Sequence, residues 1–151
     1  MSKAFIPIIP TFDEKWLPDG YARMQDGTLV RPKYLELSQE RKEKICNGMG
    51  GQNSLSSLVP DTIWGLNCKE VADRHDYDYW LGGNRDARKL ADAVFLHNLR
   101  VVIKAKGGLL KSFRLWRAEK YYIATRLFGW AHFSYDSARE FQKDTEHEVK
   151  G

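Results

Sequence analysis

Residues 85–108 read RDARKLADAVFLHNLRVVIKAKGG. Ala87, Leu90, Ala91, Val94, Phe95, Leu99 and Val102 recur at helical spacing, which predicts a long helix with an apolar stripe. Asn84 or Asp86 is placed to cap its start, and Gly107-Gly108 ends it. Asp92 interrupts the stripe between Ala91 and Phe95. A carboxylate on a face that turns inward needs a partner. Arg88, four residues earlier on the same helix, is one candidate.

The preceding stretch supplies another. VADRHDYDYW, residues 71–80, sets His75 among Asp73, Asp76 and Asp78. Asn67 with Glu70 forms a capping-box pattern, so a helix is expected from about Cys68 to Leu81, ending at Gly82-Gly83. The short link to the next helix predicts an antiparallel pair, in which Asp92 meets His75. His75 and Tyr79 share a face, while Asp76 points about 100° away. The imidazole then serves as a general base whose tautomer Asp92 fixes. Asp78, three residues after His75, competes for that role; otherwise Asp73 and Asp78 are assigned to solvent. Asp76 suits a hard cation, and backbone carbonyls of CNGMGG (46–51) complete an oxygen-rich set that favours calcium.

CNGMGG, HDYDY and RKLADAVF, in that order, resemble the phospholipase A2 superfamily, in particular its disulfide-poor phage, bacterial and parvoviral types. The resemblance covers about residues 41–100. It implies calcium-dependent hydrolysis of the sn-2 ester of glycerophospholipids. It implies His75 as the base that activates water, supported by Tyr79 and Asp92. It implies Asp76 and the carbonyls of Cys46, Gly48 and Gly50 as calcium ligands, with the Gly48 N–H facing the oxyanion. The animal enzymes carry cysteines where Val71, Ala72 and Asp78 stand here, so this chain lacks bridges rather than catalytic groups. The alternative is a non-catalytic phage- or toxin-associated module on the same scaffold.

The flanks read differently. Asp-Gly pairs in LPDGY and MQDGTLV mark turns, and residues 21–30 fit a hairpin about Asp26-Gly27. Pro7, Pro10, Pro18 and Pro32 discourage helix over residues 1–37. Ser38 is a cap candidate for a helix over SQERKEKIC, and QNSLSSLVPDTIWG reads as a loop. A helix from about Leu109 to Phe128 interleaves basic and aromatic residues, and a short one is expected over 137–143. Ile63, Trp64 and Trp116 are candidate contacts with a phospholipid surface.

The expected architecture is a single α+β, mainly α domain over 1–151. It comprises a small N-terminal β/loop extension (1–37), a core with the helix pair (38–106), and a C-terminal helical extension (107–151). The chain's 151 residues can bury a core without staples, and two cysteines make no disulfide framework. A net charge of +4 is too modest to argue for nucleic acid. No apolar run is long enough to span a bilayer. No secretory signal is visible, so cytoplasmic synthesis followed by release or delivery is expected. Metal-dependent phosphohydrolases with a His-Asp pair need an upstream histidine, and none precedes His75. No nucleophile-elbow motif marks a Ser or Cys nucleophile. His97, His132 and His147 lack ligand spacing.

Overall fold

The computed structural model describes residues 9–13, 15–46 and 61–135. In chain order they form β1 (Ala22–Arg23), β2 (Leu29–Val30), α1 (Pro32–Leu35), α2 (Gln39–Cys46), β3 (Thr62–Ile63), β4 (Leu66–Asn67), α3 (Lys69–Leu81), α4 (Arg85–Lys106) and α5 (Lys111–Phe128). A 3-10 turn at Gly129–Ala131 follows. The architecture is α+β and mainly α, as expected.

α4 is the central element. Its cap is Asn84, whose side chain accepts the Ala87 N–H at 2.9 Å. Asp86 in the first turn and Lys104 and Lys106 in the last complement the helix dipole. Phe95, Leu96, Leu99 and Ile103 are almost wholly buried, together with Cys68 and Val71 of the α3 region and Ala118 and Tyr122 of α5. Each such large side chain contributes about 1.5–3 kcal/mol of transfer free energy. The start of α3 thus meets the later turns of α4, whereas Tyr79, near its end, packs with Ala91. The pair is antiparallel. α5 runs back along α4 in turn, since Arg100 pairs with Glu119 at 3.5 Å and Arg88 donates to the Thr125 carbonyl at 3.0 Å.

The N-terminal hairpin is stitched to this layer by buried polar groups. β1 and β2 pair antiparallel, with Ala22 opposite Val30 and Arg23 opposite Leu29. The Asn98 amide of α4 satisfies both backbone groups of Leu29, at 2.7 and 2.8 Å. Arg74 of α3 donates to the Thr28 hydroxyl at 2.9 Å. His97 meets the Gly27 carbonyl at 3.1 Å, as a satisfied core histidine.

Several local expectations need amendment. Pro32 starts a short helix rather than preventing one, because the first helical position needs no N–H. Part of the expected loop is a ribbon, β3–β4, turning at Trp64-Gly65, with φ of 44° and 81°. Asn67 accepts the Lys69 N–H at 2.9 Å, but Glu70 turns to Arg74 instead of closing a capping box. Ser38 does accept the Arg41 N–H at 3.1 Å, as a cap should. Cys46 and Cys68 are free, buried thiols in separate clusters. The helix expected over 137–143 lies outside the described residues.

Candidate active site

His75, Tyr79 and Asp92 come together between α3 and α4. The four-residue spacing stacks His75 and Tyr79 on the face that meets α4, with ring centroids 4.5 Å apart. Asp92 Oδ1 lies 2.8 Å from His75 Nε2 and accepts the Tyr79 hydroxyl at 2.6 Å. Phe95, one turn along α4, stacks on the imidazole at 4.3 Å. Gly129 leaves room for Tyr79; a Cβ there would sit 2.6 Å from the phenol oxygen. Gly82 similarly admits the Ser134 backbone, whose N–H reaches the Tyr79 carbonyl at 3.2 Å.

Asp92 also uses its other oxygen. Oδ2 accepts Arg126 Nη1 of α5 at 2.8 Å, and Arg88 stands 3.8 Å away. Both partners weighed in the sequence are therefore present, and Arg126 is one that the sequence reading missed. It lies 34 residues downstream, and no local pattern distinguishes it from the other cations of its helix. Burial alone would push the Asp92 carboxyl up. The bonds from His75, Tyr79 and Arg126 outweigh it and hold the group below the usual carboxylate range. An ionised Asp92 can only accept, so Nε2 carries a proton, and in the neutral imidazole Nδ1 is then the acceptor nitrogen. No described residue bonds Nδ1. The His75 side chain is 2% exposed.

Asp76 occupies a third face of α3. No hydrogen bond or ion pair joins it to a described residue. Burial pushes its carboxyl up to about 8, and the charges of Asp73 and Asp61 act in the same direction. A carboxyl with no ion-pair partner among the described residues, near two further acids and with Lys69 as the opposing charge, has the donor chemistry that a hard cation requires. The Cys46 thiol donates to the Asp73 carbonyl at 3.2 Å, which places the end of α2 against this part of α3. Gly48 and Gly50 lie outside the described residues. Among the described residues, no cluster of three or more His, Cys, Asp or Glu side chains forms a metal site. A site of one carboxylate and backbone carbonyls would not form such a cluster.

Three assignments change. Asp78 is neither solvated nor a partner of His75: it is buried, accepting the Tyr21 hydroxyl at 2.8 Å and Arg31 at 3.1 Å. Asp73 is partly buried and paired with Lys69 at 2.8 Å. α3 is covered on two sides, which turns these supposedly outward positions inward. Ile63 is 1% exposed and belongs to the core, so it makes no surface contact. Trp64 and Trp116 are exposed.

No protein-family model, no curated protein and no solved structure matches the chain.

Proposed function

We propose that the protein hydrolyses the sn-2 ester of glycerophospholipids with calcium, the reaction that the phospholipase A2 resemblance implies. The supporting observation is His75 Nε2 held 2.8 Å from an ionised Asp92, with Nδ1 bonded to no described residue and with Asp76, which pairs with no described residue, next in sequence. In this reading Nδ1 takes a proton from water as the water oxygen adds to the ester carbonyl carbon. Asp92 stabilises the resulting imidazolium, and Tyr79 and Arg126 keep Asp92 in place. The imidazolium then returns the proton to the departing glycerol oxygen as its bond to the acyl carbon breaks. Calcium held by Asp76 and the carbonyls of Cys46, Gly48 and Gly50 would supply polarisation of that carbonyl.

A surface feature agrees with a lipid substrate. Leu109, Leu110, Phe113, Trp116 and Trp64 are all exposed, with Leu109 99% so. Trp64 and Phe113 meet edge to face at 5.6 Å. Lys120 lies 5.2 Å over the Trp116 ring. Apolar and aromatic side chains ringed by cations suit the boundary of an anionic membrane. Among the described residues no helix is long and apolar enough to cross one, so the contact proposed is peripheral.

The bond from Asp92 Oδ2 to Arg126 favours a second reading, in which the cluster is a structural cross-link in a non-catalytic module. Fatty-acid release from phospholipid vesicles separates the two. Release that needs calcium, stops in EDTA and falls by a factor of about 10²–10⁴ in His75→Gln supports the enzyme. Release that survives both EDTA and the substitution overturns the mechanism. Absence of hydrolysis together with absence of calcium binding leaves the module.

A further inference from the structure

Behind Asp92, on the side away from His75, lies an open cleft of about 580 Å³ lined by Arg85, Arg88, Arg126, Trp130 and Tyr135. Antiparallel packing makes it: the first turn of α4 lies beside the last turn of α5, and residues 133–135 fold back on the end of α3. The charges do not balance. Arg88 donates to the Thr125 and Arg126 carbonyls, and Arg126 donates once, to Asp92. Arg85 has no hydrogen bond or ion pair with any described residue. Asp86, its neighbour in sequence, forms no ion pair among the described residues. Among the described residues, three guanidiniums at the cleft against the one carboxylate of Asp92 leave two positive charges between two aromatic walls. The amino end of a 22-residue helix adds to the same potential.

We propose that this cleft binds a phosphomonoester, with its dianionic phosphate on Arg85 and Arg126 and its organic part against Trp130 and Tyr135. A phosphomonoester carries about −1.5 to −2 at neutral pH, which matches the surplus. The guanidinium fork suits its oxygens, and Arg126 has donors left after Asp92 has taken one. A single carboxylate ligand would neutralise only half of the excess. The site shares Arg126 with the support of Asp92 but needs no hydrolytic role for His75, so failure of one reading does not decide the other.

Calorimetric titration of the full chain with inorganic phosphate and with glycerol 3-phosphate tests it. Vesicles of phosphatidylcholine with and without phosphatidic acid form a second arm. Saturable binding is expected, stronger for the ester than for inorganic phosphate, and weakened about tenfold or more in Arg85→Gln. Arg85 is exposed and unpaired, so unfolding without ligand stays unchanged in that variant. Trp130→Leu, at a solvent-facing position, weakens the ester but not inorganic phosphate. Binding of the soluble ester alone identifies a free phosphate compound as the ligand. An Arg85-dependent preference for phosphatidic acid identifies a lipid headgroup. Either supports the site. No saturable binding in either arm, or full binding by Arg85→Gln, overturns it.

Discussion

Replacing Asp92 with Asn removes one charge and disturbs three hydrogen bonds. Oδ1 accepts from His75 and Tyr79, and Oδ2 from Arg126. An amide has one acceptor and one donor end. If its oxygen keeps His75 and Tyr79, its NH2 faces the Arg126 guanidinium, donor against donor; the flipped amide can donate to the Tyr79 oxygen but meets the Nε2–H of His75 and forces the other tautomer on it. Arg126 and Arg88, whose side chains are 15% and 11% exposed, also lose their shared counter-ion. Breaking a buried pair on one side costs about 3–5 kcal/mol. Both arginines keep some contact with the cleft, so about 3 kcal/mol is expected. Urea unfolding followed by circular dichroism reads this as a lower midpoint at unchanged slope. The pH dependence sharpens the test. The native carboxyl titrates below its ordinary 3.8, so its stabilisation is present in full above that value. It is lost as pH falls through the native value. The gap between wild type and variant therefore holds at neutral pH and closes only below about pH 4. A loss under about 1 kcal/mol at pH 7, or a gap unchanged down to about pH 2, would refute the argument.

Three further outcomes follow from the geometry. Asp76 shifts the other way: the unfolded chain releases its proton near 3.8 and the native chain only near 8, so in EDTA stability falls across that interval. Asp76→Asn removes this slope while abolishing calcium-dependent turnover, and urea titrations at both ends of the interval that show parallel behaviour would count against it. Gly129→Ala sets a methyl 2.6 Å from the Tyr79 oxygen, so a loss of about 1–3 kcal/mol in thermal unfolding is expected together with reduced turnover. Phe113→Asp with Trp116→Asp costs about 0.5–1.5 kcal/mol of stability, from the ring contact of Phe113 with Trp64, and lowers co-sedimentation with anionic vesicles about tenfold. Equal co-sedimentation would remove the lipid surface from Trp116.

The helix pair was legible because two glycine stops and one periodic stripe define it, and Asp92 inside that stripe announced a buried partner. His75 and Tyr79 followed from their spacing alone. What stayed illegible depends on contacts distant in sequence. α3 buries one face on α4 and another on the hairpin and α2, so the polar positions Arg74 and Asp78 turn inward and periodicity loses its contrast. Local rules assign Asp78 to water because Tyr21 and Arg31, its partners, lie 57 and 47 residues away. Ile63 reads as an exposed loop residue until the ribbon at Trp64-Gly65 folds it under. The basic-aromatic helix exposes more aromatic surface than a core helix needs, since Tyr122 is buried while Phe113, Trp116 and Phe128 face outward.

The bond between Arg126 and Asp92 also bears on how far the proposed catalytic unit extends. A fragment ending at Gly108 would contain the glycine loop, the histidine, the tyrosine and both aspartates of the proposed machinery. It would lack the Arg126 donor to Oδ2 of the inner aspartate and would keep only Arg88, 3.8 Å away, on that side. Such a fragment would be complete by motif and short of one hydrogen bond to Asp92. The support of the proposed His75–Asp92 pair therefore reaches past the motif-bearing helices to α5, where Arg126 fills the second carboxylate oxygen.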